Sequence, residues 1–441
     1  MFNTIKNALK TPEIRKKLLY TLLLLVIFRL GCFITIPMVN VATLQETMNS
    51  YSNSVTGLIN IISGGAFSRL SVFAMSITPY ITASIVIQLM SMVLPGLERL
   101  TKEGGEEGRK KIDRYTKIIS LILALVEALG VYFSYKTSGL FIETGVLTAV
   151  VVVLSLMAGT SLLMWLGDKI TSKGVGNGIS MLIFAGIVSS VPSALVSIFG
   201  LIKENGTFST KGLITAILIL LGVLILMIAV IFVQLAERRI PVQYSKKVVG
   251  RKMMGAQNTH IPIKPAMASV MPIIFASSFM TFPAMVIELF VNDIENKSGF
   301  LRVLYNLSIA TSSSSVGWQY IIINAIIYLL LIIGFTYFYT YATFNPAEVA
   351  SNIKQNGGFI PGIRAGKPTA EYLSSVLSKV VLFGGIFLAA IAIIPMFAKA
   401  SGLNTAFGGS SILIVVGVAI ELSQQLQSLL VMRHYKGFLE K

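Results

Sequence analysis

Long apolar segments alternate with short polar segments along the whole chain. Ten of the apolar segments reach the length of roughly 20 residues that a helix needs to cross a bilayer core about 30 Å thick. They cover residues 18–38, 71–94, 116–135, 146–167, 178–202, 212–235, 267–291, 319–341, 373–396 and 411–432. The pattern therefore predicts an all-α polytopic membrane protein with ten transmembrane helices.

Composition supports this fold class. Hydrophobic residues make up 54% of the chain and charged residues 12%, and the mean hydropathy is +0.78. A soluble domain carries about 25% charged residues, so a soluble protein is excluded. The formal net charge of +17 is compatible with nucleic-acid binding, but the basic residues lie in short segments between the apolar runs. Basic residues in such segments orient a membrane protein instead.

The distribution of Lys and Arg predicts the orientation. Most of them lie in the N-terminal segment, in the C-terminal tail and in alternate loops, whereas the intervening loops contain few. By the positive-inside rule both termini and the basic loops are cytoplasmic, which is consistent with ten spans. Five runs precede residue 205 and five follow it. The two halves, 1–204 and 205–441, therefore have opposite topology, as in inverted repeats.

Residues 57–69 interrupt the pattern of spans. This stretch begins and ends on the outer side, is too short to cross, and contains Gly64 and Gly65 before Arg69. Irregular backbone at membrane depth is tolerated only where protein or a water-filled cavity surrounds it. We predict a short re-entrant helix that dips into a cavity, with the two glycines as its breaker. A short helix lying flat on the outer surface is the alternative.

Two predicted cytoplasmic loops are larger than connectors need to be. In residues 236–266, Ile240, Val242 and Tyr244 alternate with polar neighbours, which indicates a strand or hairpin. Residues 345–372 are rich in Gly and Pro turns. Orientation alone requires charge but no patterned hairpin, so we interpret these loops as a docking surface for a large, partly acidic partner. Loops that serve only orientation are the alternative.

No catalytic, cofactor or metal site is expected. The glycine-rich stretches SKGVGNGIS (172–180) and KEGGEEGRKK (102–111) lack the spacing of dinucleotide and P-loop motifs. His260, His434 and the single cysteine, Cys32, have no metal-ligand spacing. The sequence therefore indicates a protein that performs no bond chemistry.

Four ionisable residues lie within apolar runs and raise a second hypothesis. Such residues are functional by default in membrane proteins. They are spread over different predicted helices, which favours roles in helix packing or subunit contacts: Arg29, Glu127, Glu288 and Glu421. An ion-coupled secondary transporter built from inverted repeats remains the alternative function.

Several motifs resemble a known family. They read SGGAFSRLSVFAMSITPYITASIVIQL, GVGNGISMLIFAGIV, AERRIPVQYSKKVVGRK, AQNTHIPIKPAMASVMPIIFASSFMTFP and GGFIPGIRAGKPT. In this order, from the first helix to the tail, the chain resembles the bacterial SecY family of protein-translocation channels.

The resemblance implies a function and a setting. The chain is expected to conduct unfolded secretory polypeptides across the bacterial plasma membrane and to release membrane-protein helices sideways into lipid. Two five-helix halves would surround a central pore, and the re-entrant helix would be its plug. The implied partners are SecE, SecG, the SecA motor, translating ribosomes and signal sequences.

The resemblance also implies four sets of site residues. The pore ring would consist of Ile77, Ile81, Ile179, Ile183, Ile274 and Ile414. The plug would contain Leu58, Ile59, Ile62, Gly64, Gly65, Phe67 and Arg69. The lateral gate would use Thr82, Ser84 and Gln88. Docking of SecA and the ribosome would involve Arg251, Lys252 and Arg364. Two pairs of ring residues have i, i+4 spacing, so each pair should share a helix face, and β-branched side chains meeting in a neck exclude water.

Overall fold

The chain is described by a computed structural model. The described residues are 2–40, 43–44, 63–102, 104–136, 139–204, 207–244, 248–249, 252–253, 258–267, 270–290, 299–310, 317–400 and 409–439. Helices dominate this part of the chain. In the N-terminal half they are α1 (Phe2–Lys10), α2 (Pro12–Gly31), α3 (Thr78–Val93), α4 (Pro95–Lys102), α5 (Gly105–Tyr135), α6 (Val146–Lys173) and α7 (Gly178–Gly200).

The remaining elements combine helices with short strands. A two-stranded pair, β1 (Lys203–Glu204) and β2 (Thr207–Phe208), precedes α8 (Thr210–Leu235). The strands β3 (Arg238–Tyr244), β4 (Val248–Val249), β5 (Lys252–Met253) and β6 (Asn258–Ile263) follow. They lead to α9 (Met271–Phe290), α10 (Phe300–Ile309), α11 (Trp318–Thr343), α12 (Pro346–Gln355), β7 (Gly358–Phe359), α13 (Lys367–Ala400) and α14 (Gly409–Leu439).

The helices confirm a mostly helical, multi-span membrane protein. A helix overlaps each of the ten predicted apolar runs. Among the described residues, however, seven helices are long and apolar enough to cross a bilayer, or eight if α3 and α4, which meet at 104°, form one bent span. For α2 the reason is physical, because its apolar stretch is interrupted by Lys16, Lys17 and Arg29. Helix α9 is apolar over most of Met271–Phe290. The count of ten spans stays a prediction.

The second span was predicted to begin at residue 71, but its helix begins seven residues later. Ser71 forms an isolated β-bridge with Thr35, residues 72–77 form turns, and α3 starts only at Thr78. The backbone explains the difference, because Leu70 has φ 39° and Ser76 has φ 53°, values that a right-handed helix excludes. Pro79 does not interrupt this helix. It lies in the first turn, where a missing N–H group costs nothing.

Three clusters of buried apolar side chains hold the bundle together. One contains Tyr132 of α5 and Leu156 of α6. A second contains Tyr328 of α11 and Leu388 of α13, with neighbours from α8, α9 and α14. The third, called the central cluster here, joins α2, α3, α6 and α7 to Val270 before α9 and to the first half of α14. The central cluster therefore connects helices that are far apart in the sequence.

The two large loops form one small sheet at the end of the bundle. In the strand order β6-β3-β7, β3 pairs antiparallel with both neighbours, with Ile240 opposite Ile261 and Tyr244 opposite Gly358. Ile240 and Val242 are buried, which confirms the alternation expected for a strand. Their side chains pack with apolar residues of α12 and α13, so the sheet shares a hydrophobic core with these two helices.

Candidate functional site

The six isoleucines predicted for the pore ring belong to one apolar group, the central cluster. Ile77, Ile183 and Ile414 are the most buried, with exposed fractions of 2%, 4% and 5%. The other three are partly buried and pack against the same cluster: Ile81, Ile179 and Ile274. The fold thus brings together side chains from the starts of α3 and α7, from α9 and from α14.

Local structure at two helix starts positions four of these side chains. The Ile77 carbonyl accepts a hydrogen bond from the Ile81 amide at 3.0 Å, so both residues lie on one side of the first turn of α3. At α7, the Asn177 side chain accepts hydrogen bonds from the amides of Ile179 and Ser180, at 3.1 and 3.5 Å. This N-cap fixes where α7 begins, and with it the face that carries Ile179 and, one turn later, Ile183.

The start of α7 is also held unusually close to α6. A Cβ atom on Gly178 would lie 1.9 Å from the Gly167 carbonyl oxygen. Only glycine permits this approach, because any side chain would displace one of the two helices. The close contact fixes the start of α7, and with it the ring residues, against the neighbouring helix.

A cavity of about 320 Å³ opens on one side of the ring. Ile183, Ile274 and Ile414 form part of its wall. Its polar lining comes from the start of α7, the end of α8, the segment between β6 and α9, the helix α11 and the middle of α14: Asn177, Ser180, Gln234, Lys264, Tyr339, Glu421 and Gln424. The amide nitrogen of Gln234 is buried and has no partner among the described residues. An apolar neck therefore faces a chamber whose lining is partly polar.

The described part of the predicted plug, residues 63–69, forms turns that continue to Leu70. Gly64 has φ 66° and Gly65 has φ 85°, a region that favours glycine, so the expected chain break is present. Ser63 accepts a hydrogen bond from the Phe67 amide at 3.2 Å, which closes the turn. Three of the predicted plug residues lie outside the described residues: Leu58, Ile59 and Ile62.

This turn, residues 63–70, is packed between α2 and α7. The Arg29 guanidinium donates a hydrogen bond to the Gly64 carbonyl at 2.6 Å, and the Ser189 hydroxyl lies 3.5 Å from the same oxygen. Ala66 and Phe67 are buried. Arg69 is exposed, and its guanidinium lies over the Phe33 ring, 4.2 Å from the ring centre.

The order of contacts along α7 places the turn and the cavity at opposite ends of the ring. Asn177 and Ser180 line the cavity, and Ile183 belongs to both ring and cavity wall. A side chain on Gly64 would meet Gly186 and Ser189. At a rise of 1.5 Å per residue these lie about 4.5 and 9 Å beyond Ile183 along the helix. The sequence along α7 is thus cavity, ring, turn.

One predicted gate residue bridges two helices. The Gln88 amide donates a hydrogen bond to the Tyr339 hydroxyl at 3.2 Å, joining α3 to α11. The Tyr339 ring in turn lies edge-on to Phe275 of α9, with ring centres 5.5 Å apart. Thr82 bonds instead to the Thr78 carbonyl of its own helix, and Ser84 is half-buried. Tyr339 carries no signal in the sequence that would have identified it.

The predicted docking residues are placed only in part. Lys252 lies in β5, which pairs with β4 as a short hairpin, and Arg251 lies outside the described residues. Arg364 is exposed, and its carbonyl accepts a hydrogen bond from the Thr369 hydroxyl at 2.9 Å. Beside the sheet, a hydrogen bond from Arg239 lowers the pKa of the Glu237 carboxyl, which therefore stays charged.

The arrangement defines a class of protein. An apolar neck with a partly polar chamber on one side, inside a bundle of membrane-length helices, is the layout of a helical channel. In the described parts of the chain, no group of three or more His, Cys, Asp or Glu side chains could hold a metal ion.

Comparisons with known proteins specify the family. The SecY family matches residues 71–423. The protein translocase subunit SecY of Streptomyces coelicolor is 41% identical over 454 residues, which covers 100% of both chains. The chain belongs to the SecY family of protein-translocase subunits. It is a protein-conducting translocation channel and not an enzyme, so the alternative of an ion-coupled transporter falls away.

Solved structures share the fold at lower identity. One is a SecY protein whose plug domain stabilises the closed state of the translocation channel and maintains a membrane seal. It matches with a TM-score of 0.66 at 21% identity, over 93% of this chain and 91% of that chain. Sec61 in the canine ribosome-channel complex from the endoplasmic reticulum matches with a TM-score of 0.62 at 19% identity, over 93% and 91% of the two chains.

Proposed function

We propose that this channel passes unfolded secretory polypeptides across the bacterial plasma membrane and releases membrane-protein helices sideways into lipid. Its ten spans form two inverted halves, 1–204 and 205–441, with both termini in the cytoplasm. The distribution of Lys and Arg supports this orientation, and the full-length identity of 41% to a bacterial subunit supports the setting.

The six ring isoleucines act as the gate of the pore. One observation carries this proposal. The six side chains pack in one cluster, and three of them form part of the wall of a partly polar cavity. Isoleucine is stiff at χ1 and offers no hydrogen bond, so an empty neck of such side chains sheds water and ions. For the same reason the neck holds no particular sequence, and unrelated polypeptides can slide through it.

Residues 57–69 act as the plug on the side of the ring opposite the cavity. The packing of the 63–70 turn on α7, one to two turns beyond Ile183, supports this role. A polypeptide that passes the ring from the cavity would meet this turn next. Transport therefore requires the turn to leave its seat between α2 and α7.

The seam between α3 and α11 acts as the lateral gate. The hydrogen bond from Gln88 to Tyr339 supports this role, together with the polar residues Thr82 and Ser84 on α3. Interhelical hydrogen bonds in membranes average about 0.6 kcal/mol. Such a seam opens without its own energy source when an apolar signal helix fits better at the lipid side.

The two large loops act as the docking surface for SecA and ribosomes, with SecE and SecG as further subunits. The related Sec61 channel was solved in a ribosome-channel complex. In this chain Arg238, Arg239 and Arg364 are exposed on or near the small sheet. Exposed arginines suit phosphates and carboxylates of a large acidic partner. Arg251 and Lys252 extend the same basic surface in the sequence.

Site-directed crosslinking of a stalled secretory chain tests the pore directly. A photo-crosslinking residue at each of the six ring positions should react with a polypeptide halted by a folded domain at its C-terminus. The matched control is Ile322 of α11, whose exposed fraction of 47% on the helix surface predicts a lipid contact. Equal crosslinking at Ile322, or none at the ring, would contradict the proposed pore.

A further inference from the structure

Arg29 is a charged residue near the end of the apolar helix α2. Its guanidinium Nη1 atom lies 2.6 Å from the carbonyl oxygen of Gly64, and its Cζ atom lies 5.0 Å from the centre of the Phe33 ring. Among the described residues no carboxylate lies within salt-bridge distance of Arg29. The charge is therefore met by a backbone carbonyl and an aromatic face, and it also lies beside the Cys32 thiol.

A charge at this depth requires a reason, because ionisable side chains within membrane spans are costly. A charged donor also makes a hydrogen bond roughly twice as strong as a neutral one. The acceptor is well placed for such a bond, since the positive φ of Gly64, 66°, sets the direction of the turn. A side chain at Gly64 would lie 2.5 Å from the Ser189 hydroxyl and 2.8 Å from the Gly186 carbonyl.

We propose that Arg29 is the positioning residue that anchors the closed plug. Its bond to the Gly64 carbonyl holds the 63–70 turn against α2 and α7, and transport begins when a polypeptide displaces this turn. The inference rests on the plug role proposed above and adds the contact that keeps the plug seated.

The chemistry of the contact suits a reversible anchor. A backbone carbonyl is neutral, so it holds the guanidinium less tightly than a carboxylate would. When the turn leaves, Arg29 keeps the Phe33 ring, 5.0 Å away, and gains the water of the opened funnel. Neither state leaves a charge without a partner, so the plug can leave and return.

The chain carries its own reporter of this contact. Cys32 is its single cysteine, and its exposed fraction is 1%. Its sulfur lies 3.9 Å from the carbonyl oxygen of Ser63, the residue before Gly64. The turn therefore covers the thiol, and a maleimide should alkylate Cys32 faster when the turn departs. Because Arg29 also interacts with this thiol, Gly64→Ala, which leaves Arg29 in place, shows the effect of the turn alone.

The experiment uses the assembled channel in lipid bilayers, without motor or substrate. Arg29→Gln should raise the alkylation rate of Cys32 about tenfold, as expected for the loss of a charge-assisted bond, and should raise the resting ion conductance. Arg29→Lys keeps the charge without the planar fork and should give a smaller rise in both. Lys136→Gln, which removes an exposed charge elsewhere, should change neither.

Alkylation of Cys32 tests the anchor, and resting conductance tests the plug role, so the two hypotheses can fail separately. Unchanged alkylation in Arg29→Gln would overturn the anchor. Faster alkylation with unchanged conductance would support the anchor and contradict the plug role instead. Should Arg29→Gln fail to accumulate, Arg29→Lys and Gly64→Ala decide. The added Cβ of Gly64→Ala pushes the turn off α7 while Arg29 stays intact, so unchanged alkylation in both variants would also overturn the anchor.

Discussion

At the scale of single residues, the proposed gate depends on side chains that offer water nothing to bind. Ile274 and Ile414 line the polar cavity and also pack in the central cluster, so they stand at the boundary between wet and dry regions. Water that enters the neck from the cavity loses hydrogen bonds and regains none from isoleucine. One polar group at this boundary would remove part of that penalty.

A polar substitution in the ring should therefore open the resting channel to ions. An unpaired polar group in an apolar site is worth about 1–3 kcal/mol, so Ile274→Asn should raise resting conductance about tenfold. It should also let weaker signal sequences through. Conductance in planar bilayers and export of a preprotein with a shortened apolar signal core check both effects. Ile274→Leu, which keeps volume and polarity, is the control, and equal conductance of the two variants would place Ile274 outside the neck.

The sequence alone could identify Arg29 as unusual, but it could not identify the six ring isoleucines. An isoleucine in an apolar helix faces lipid or a neighbouring helix far more often than a pore, so physics alone could not select six of them. The family resemblance supplied the positions, and the structure shows that they meet in one cluster. Arg29 was flagged as a charge in an apolar run, but its partner is the carbonyl of Gly64, which no side-chain pattern reveals.

At the scale of elements, the length of the apolar runs predicted where the helices lie. It did not predict where a helix begins when positive φ angles interrupt the run. The run at 71–94 contains six residues of turn because Leu70 and Ser76 adopt positive φ. Alternation predicted the strand at Ile240 and Val242. It could not predict β7, since Gly358–Phe359 joins the sheet through a contact between two separate loops.

The contact between α3 and α11 leads to a prediction about lateral opening. Tyr339→Phe and Gln88→Met each remove the interhelical hydrogen bond with little change in shape. At about 0.6 kcal/mol, each should raise transport with a weakened signal sequence about threefold. Because both remove one bond, the double variant should gain no more than either single one.

Thr336→Val is the matched control for this seam. The Thr336 hydroxyl bonds to the Ile332 carbonyl of its own helix, so its loss leaves the contact between α3 and α11 intact. Transport with the weakened signal should then stay at the level of the parent channel. Additive effects of Gln88→Met and Tyr339→Phe would show that their hydrogen bond does not hold the seam.

At the scale of the whole molecule, the architecture relies on the central cluster. This cluster joins helices of the N-terminal half to α9 and α14, and the ring, the cavity wall and the plug turn all contact it. Any movement that separates the two halves therefore changes the neck, the chamber and the seat of the plug together. This arrangement has the proposed effect only if the chamber faces the cytoplasm, which makes orientation the decisive property of the molecule.

Single-cysteine labelling tests that orientation. In a Cys32→Ala background, cysteines at the exposed positions Glu143 and Lys211 should react with a membrane-impermeant maleimide in intact cells. Cysteines at Lys10, Arg239 and Lys354 should react only after lysis. The reason is the concentration of Lys and Arg on the second group of segments, which keeps them on the cytoplasmic side.

Lys10 is the most informative of these positions, because the uncharged stretch of α2 between Lys17 and Arg29 is only eleven residues long, shorter than a span needs. If α2 lay on the membrane surface instead of crossing, Lys10 would be on the same side as Glu143, and its cysteine would be labelled in intact cells. If α3 failed to cross, the same two positions would also share one side. Labelling at Lys10 only after lysis, with Glu143 labelled before it, therefore requires an odd number of crossings between them, as three spans provide.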